Sequence, residues 1–178
     1  MSKGPGFVHL HVHSAFSLLE GAMQLARVLE LAKGDHQPAI GIADTSNLFG
    51  ALEFSEKAWG KGIQPLIGCE LVLDFQSAAT IREQQRGNFG KGSLVLMAAT
   101  EEGFGNLSRL VSRAYLEGEN GRAAARLEWL DSDNLAGITC LSGGPEGAVD
   151  PFFANGLEAQ AHARLETSAH IGKIVMTV

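Results

Sequence analysis

FVHLHVHSAFSLLEG, residues 7–21, is where three histidines alternate with aliphatic residues and run into a helix start. A β-strand points successive side chains to opposite faces, so His9, His11 and His13 share one face while Val8, Leu10 and Val12 share the other. Residues two apart on a strand stand about 6 to 7 Å apart at Cα, close enough for two imidazoles to converge on one ion. His11 and His13 are the natural pair, because they lie nearest the strand's C-terminal end, where parallel α/β folds hold their sites. Glu20 follows within the same stretch, and two imidazoles with a carboxylate form an ordinary metal-ligand set. The plainer alternative is a strand with a polar face.

The chain that follows alternates helical and strand patterns. Residues 21–33, GAMQLARVLELAK, space their apolar side chains as a helix does, with Gly34 as a stop. PAIGIAD, residues 38–44, reads as a buried strand ending at Asp44; residues 48–59 read as a helix and 63–75 as a third strand. That β-α-β-α-β order predicts parallel strands joined by right-handed crossovers. The polar stretch 76–92 is expected to be an exposed, mobile loop ahead of a fourth strand at 93–99. Residues 101–115 read as a helix whose best-defined part begins near Asn106 as N-cap, and 127–135 as a short helix. A fifth strand over 137–142 runs into the turn GGPEG, and a helix over 157–167 leads to a sixth strand over 172–178. The sum predicts a barrel-like or open parallel α/β sheet, incomplete at its end.

The bulk properties narrow the function. At 178 residues the chain suits one domain with a substantial core, and 45% apolar with 19% charged residues is a soluble globular composition. A net charge of −6 without a basic stripe argues against direct nucleic-acid binding. The first residues lack a signal-peptide core, and no run reaches membrane-spanning length. Cys69 and Cys140 lie in apolar segments without a CxxC spacing, as buried free thiols do. A reducing, cytoplasmic setting is expected.

If chemistry collects where strands end, the candidates are His11, His13 and Glu20, then residues 44–47 (DTSN), Glu70, Ser93 and residues 143–146. Histidine with carboxylate suits Zn, Mn or Fe, and such ions activate water for phosphoester hydrolysis. Each candidate also has a plain reading. Asp44 is expected to serve a turn or helix cap rather than ligation, Glu70 is either a polar strand residue or a ligand, and Glu20 either favours a helix start or ligates. His36, His162 and His170 are read as surface residues. No GxSxG elbow, P-loop or GxGxxG occurs.

The segments HLHVHSAFSLLEG, IADTSNLFGALEF, GIQPLIGCEL, LVLMAATEEGFGNLSRLVSRAY and GITCLSGG, in this order, resemble the landmarks of the PHP (polymerase and histidinol phosphatase) domain. The form is the one at the N-terminus of the bacterial replicative DNA polymerase III alpha subunits, and the likeness is best over residues 7–150. It implies that residues 1–178 are a single PHP domain fragment, an incomplete distorted (β/α)7 barrel whose active members hold up to three metal ions. His11, His13, Glu20 and Glu70 match ligand positions. Three positions depart: Thr45 and Ser93 stand where the family carries histidine, and Gly144 where many members carry cysteine. Hydroxyls are poor ligands beside imidazole and glycine offers none, so the resemblance implies a vestigial site with no catalytic residue and, at most, a weakly bound Zn or Mn. The implied role is structural, within DNA replication: bracing the remainder of the polymerase alpha subunit and docking a separate proofreading exonuclease subunit. The alternatives are an active metal-dependent phosphoesterase or 3'-5' exonuclease and, with less support, a free-standing histidinol-phosphatase-like enzyme.

Overall fold

The computed structural model describes residues 6–74, 91–118, 123–141 and 147. They form a mixed α/β fold with five strands and divide into two compact units, residues 1–69 and 70–178. No described helix is long and apolar enough to cross a membrane.

The first unit is built on helix α1 (Leu25–Gly34), strand β1 (Ala39–Thr45), helix α2 (Ala51–Lys61) and the start of strand β2 (Gln64–Asp74). Leu25, Val28, Leu29 and Ala32 recur at helical spacing and are the buried face of α1. They close a core with Ile40 and Ile42 of β1, Phe54 and Ala58 of α2, and Ile63, against which Val12 and Ile67 pack. The helix starts four residues later than its apolar spacing suggests, because residues 21–24 pair with the preceding loop through Ala15 N–H to Met23 O at 2.9 Å. It also runs through Gly34, and the left-handed turn residue is His36, at φ 57°. Helix α2 ends in a Schellman motif: Gly62 takes φ 72°, and the N–H groups of Gly62 and Ile63 reach Trp59 O and Ala58 O, both at 3.0 Å. Leu52, expected on its buried face, is 72% exposed, since Ala51 takes the inward position.

The histidine stretch is not a regular strand. It lies extended beside β1, with Gly41 N–H on His9 O at 2.7 Å and Ala43 N–H on Val12 O at 3.0 Å. Two residues of β1 therefore face three of the stretch, a spacing that breaks a regular ladder. The contact is close: a Cβ on Gly41 would sit 2.3 Å from Leu10 O, so only glycine fits there. Leu10, expected in the core, stays 40% exposed, while Val12 reaches it. β1 neighbours β2 in the sheet.

In the second unit β2 continues to Asp74, pairing in parallel with the short strand β4 (Ala125–Arg126) through Leu73 and Ala125, and neighbouring β3 (Lys91–Ala98). Strand β3 leads within two residues to helix α3 (Glu101–Glu117). Its N-cap is Thr100, whose Oγ1 accepts the Gly103 N–H at 3.0 Å, and Glu101 and Glu102 sit in the first turn, where the helix dipole favours carboxylates. Asn106, expected as the cap, is instead buried inside the helix, donating to Ala136 O at 2.7 Å. Leu107, Leu110, Val111 and Ala114 are the buried face of the helix, which packs on β3, β4 and the last described strand, β5 (Ile138–Leu141). Residues 127–135 form one 3-10 turn, Leu127–Trp129, and a further run of turns rather than a helix; Arg113 stacks 4.2 Å from the buried Trp129 ring.

β5 runs antiparallel to β3, with Val95 opposite Leu141 and Ala98 opposite Ile138. The expected all-parallel sheet is thus corrected to a mixed one, and β4 is a strand that no apolar run announces. The expected mobile loop, residues 76–92, lies outside the described residues except at its end, where β3 begins at Lys91 rather than Ser93. The expected helix 157–167 and strand 172–178, with His162 and His170, also fall outside them.

Candidate metal centre

The loop that follows His13 is fastened before any ligand is placed. Asp44, at the end of β1, is 3% exposed, and its carboxylate accepts three bonds: Ser14 N–H at 2.7 Å, Ser14 Oγ–H at 2.8 Å and Ser17 Oγ–H at 2.6 Å. Burial of a carboxylate is costly unless donors of this kind surround it. Asp44 is therefore neither a helix cap nor a ligand but the anchor that holds residues 14–17 against β1. Thr45 N–H donates to Ser17 Oγ at 3.1 Å, and the turn closes with Gly21 N–H on Ser17 O at 2.9 Å. Asn47 completes the fastening, donating to Phe16 O at 3.1 Å and Thr45 O at 3.0 Å while accepting Phe49 N–H at 3.2 Å.

This anchor brings three of the expected ligands together. His11 Nε2 and His13 Nε2 face one another at 2.9 Å, with ring planes inclined by 74°. Two nitrogens bound tetrahedrally to one Zn at about 2.0–2.1 Å would stand about 3.3 Å apart, so a small opening of the pair accommodates an ion between them. His13 presents its other nitrogen, Nδ1, to Glu20 Oε2 at 3.7 Å. Thr45 donates its hydroxyl to that same Glu20 oxygen. The donor set fits one ion on two imidazoles, with a carboxylate behind one of them. His9 is not part of this group; its ring packs edge-on against Phe7, with centroids 4.7 Å apart.

Glu70 lies on β2, half-buried between the fully buried Cys69 and Leu71. Ser93 is buried near the start of β3 and bridges to Gly147. Gly144 and the rest of residues 142–146 lie outside the described residues. His36 is exposed, as expected. Neither thiol is in a disulfide, and burial pushes Cys140 up to about 12, which keeps it protonated and a poor ligand.

The residues that sequence reasoning passed over are Ser14 and Ser17. Their three-residue spacing ahead of a carboxylate that ends an apolar run was the available signal, since a buried aspartate must find donors.

The PHP domain family matches residues 9–173 of the chain. The DNA polymerase III subunit alpha of Caulobacter vibrioides is 42% identical over 166 residues, 92% of this chain and 14% of that protein. The DNA polymerase III subunit alpha of Mycobacterium tuberculosis is 33% identical over 185 residues, 98% of this chain and 15% of that protein. The chain thus spans about a seventh of the length of these curated relatives. A solved two-domain protein from Bacteroides vulgatus, containing a predicted PHP-like metal-dependent phosphoesterase, overlaps with a TM-score of 0.43 at 13% identity, covering 95% of this chain and 52% of that one. With a family match over nearly its whole length and relatives of this identity, the chain belongs to the PHP domain family.

Proposed function

We propose that this chain is the PHP part of a replicative DNA polymerase alpha subunit in which the metal site has degenerated and the domain serves structure and docking. The observation that carries the reading is Thr45: at a position where the resemblance places an imidazole ligand, its hydroxyl is engaged with Glu20. A hydroxyl beside imidazole adds little affinity for Zn or Mn. His11 and His13 would hold a remaining ion, with Glu20 behind His13 and Glu70 a further candidate. When bound, such an ion supplies an activated water for phosphoester hydrolysis. The chain's own residues hold the two imidazoles in place and fasten the 14–17 loop to β1.

Family membership supports the finer architecture, an incomplete distorted (β/α)7 barrel. The polymerase relatives support assembly with the remainder of an alpha subunit, template-directed nucleotide transfer elsewhere in that subunit, a docking role toward a proofreading exonuclease, and a cytoplasmic location. The net charge of −6 supports the absence of direct nucleic-acid contact by this part.

Metal analysis of the purified chain, paired with a phosphoesterase assay on single-stranded DNA and on a small phosphomonoester, tests the reading. The expected result is at most one weakly held ion and no chelator-sensitive hydrolysis. Two or more tightly bound transition-metal ions with chelator-sensitive turnover would establish the rival, a working phosphoesterase or 3'-5' exonuclease. The docking role is tested by removing this domain from the full alpha subunit, and unchanged exonuclease association would refute it.

A further inference from the structure

We infer that Leu18 and Leu19 form a rigid apolar tip that seats in an apolar pocket on the remainder of the alpha subunit. This rests on the reading of the chain as a bracing part of such a subunit, and it names the surface that does the bracing.

The tip is the apex of a tight turn. Ser17 O accepts the N–H groups of Glu20 at 3.1 Å and Gly21 at 2.9 Å, which leaves Leu18 and Leu19 at the two corners. Both limbs of the turn are pinned. Ser17 Oγ donates to the buried Asp44 at 2.6 Å, and the Thr45 hydroxyl donates to Glu20. Gly21 lies so close to the first limb that a Cβ there would sit 2.0 Å from Ser14 O. The two corners are therefore held in one place.

What they present is apolar and costly. Leu18 is 82% exposed and Leu19 106%, so neither gains the burial that stabilises a leucine. Leu19 also takes φ 72° at the third position of the turn, a backbone region that suits glycine or asparagine. Either of those residues would serve the turn better on both counts. A strained apolar side chain turned to solvent on a fixed turn is accounted for when a second surface covers it.

The size of the tip selects its partner. Two leucine side chains fall far short of the roughly 1,200 Å² that a stable interface between separate proteins buries at the low end. A second copy of the chain or a separate subunit would need a much larger surface. A tethered polypeptide docks intramolecularly, where a small apolar contact is sufficient. In the polymerase relatives the matching part is 14% and 15% of one polypeptide, so the rest is tethered in this way.

Cysteines placed singly by Leu18→Cys, Leu19→Cys, Leu52→Cys and Leu116→Cys report coverage through their rate of reaction with a maleimide. Mass spectrometry of each peptide reads that rate in the chain and in the full alpha subunit. Leu52 and Leu116, 72% and 85% exposed on α2 and α3, are the reference positions. The expected result is labelling at positions 18 and 19 at least about tenfold slower in the subunit than in the chain. Equal rates at 18 and 19 with slowing at 52 or 116 would overturn the inference and leave the bracing reading in place. Equal rates at all four positions would overturn both. Slowing at 18 and 19 that requires added exonuclease, or that arises in the chain alone as its concentration rises, would assign the tip to another partner and overturn the inference. Leu19→Asn tests the strain separately: the urea midpoint of the chain should rise, because asparagine tolerates the left-handed region. A midpoint that does not rise would remove the strain on which the inference stands and overturn it.

Discussion

Replacing Asp44 by alanine is the perturbation with the largest expected consequence in the first unit. Its carboxylate is 3% exposed and accepts from Ser14 N, Ser14 Oγ and Ser17 Oγ at 2.7, 2.8 and 2.6 Å. Hydrogen bonds to a charged group contribute about 1.5–3 kcal/mol each, so three give an upper sum of about 4.5–9 kcal/mol. That sum is not reached, because the bonds share one carboxylate and are not additive, and because water can enter the space left by the side chain. The two serine oxygens also keep their own donors, Phe16 N–H at 3.1 Å and Thr45 N–H at 3.1 Å, so the loop retains part of its fastening. About 3–5 kcal/mol is the expected loss for Asp44→Ala, the scale seen when one partner of a buried charged network is removed. Against a total stability of about 5–15 kcal/mol for a natural domain, that is a loss able to unfold the unit. Asp44→Asn keeps one acceptor oxygen but turns an amide N–H₂ toward donors, for an expected cost of about 2 kcal/mol.

Urea unfolding of the wild type, Asp44→Ala, Asp44→Asn, Ser17→Ala and the Asp44→Ala/Ser17→Ala pair measures this directly. Ser17→Ala alone should cost about 1–2 kcal/mol, and the cycle should show coupling between the two sites of at least about 1 kcal/mol. A loss below about 1 kcal/mol for Asp44→Ala, within the range of ordinary surface substitutions, would refute the anchoring role. So would strict additivity of the double variant, since it would mean that the short Ser17 bond does not belong to the network.

Gly41→Ala places a Cβ 2.3 Å from Leu10 O, a backbone atom that can yield only by lifting the histidine stretch from β1; amide exchange at Ala43, whose N–H bonds to Val12 O, should quicken markedly, and unchanged protection would contradict the close approach. Thr45→His adds an imidazole beside His13 and Glu20 and should raise zinc affinity by at least about tenfold, on the scale at which even outer-shell partners act; calorimetry showing no gain would count against the ligand mapping. Cys140, raised from 9.0 to about 12 by burial, binds its proton more tightly when folded, so its contribution is intact below pH 9.0 and is lost as pH climbs toward 12. Comparing urea unfolding at about pH 8 and about pH 10, the wild type should lose about 1.4 kcal/mol more than Cys140→Ala, and equal losses would refute the burial effect.

The elements that were legible in the sequence are those whose pattern one face dictates. The buried run of β1 announces itself because a strand covered on both faces is apolar throughout. The α1 stripe of Leu25, Val28, Leu29 and Ala32 does so by its period. Helix ends and caps were less legible, because a cap is a bond to a particular N–H rather than a pattern. Thr100 and Asn106 are both good capping types, and only the β3 geometry two residues upstream makes Thr100 the one in use. The two-residue β4 carries no period at all, being defined by its partner at Leu73 and Asp74. In the candidate site, the alternation of histidines pointed to the His11 and His13 pair, although the irregular register beside β1 was invisible to a strict period of two. The role of Asp44 was hidden for the opposite reason: its donors lie 27 and 30 residues away in the chain, beyond the reach of any local rule.

The antiparallel direction of β5 decides which ends of the described strands lie together. In an all-parallel sheet the residues entering one strand and those leaving another lie at opposite ends, so Ser93, near the start of β3, and a position following β5 would have no reason to serve one site. With β5 reversed, Leu141 at its end lies opposite Val95, midway along β3, and Ser93, nearer the start of β3, bridges to Gly147. The start of β3 and the end of β5 therefore lie toward one end of the sheet.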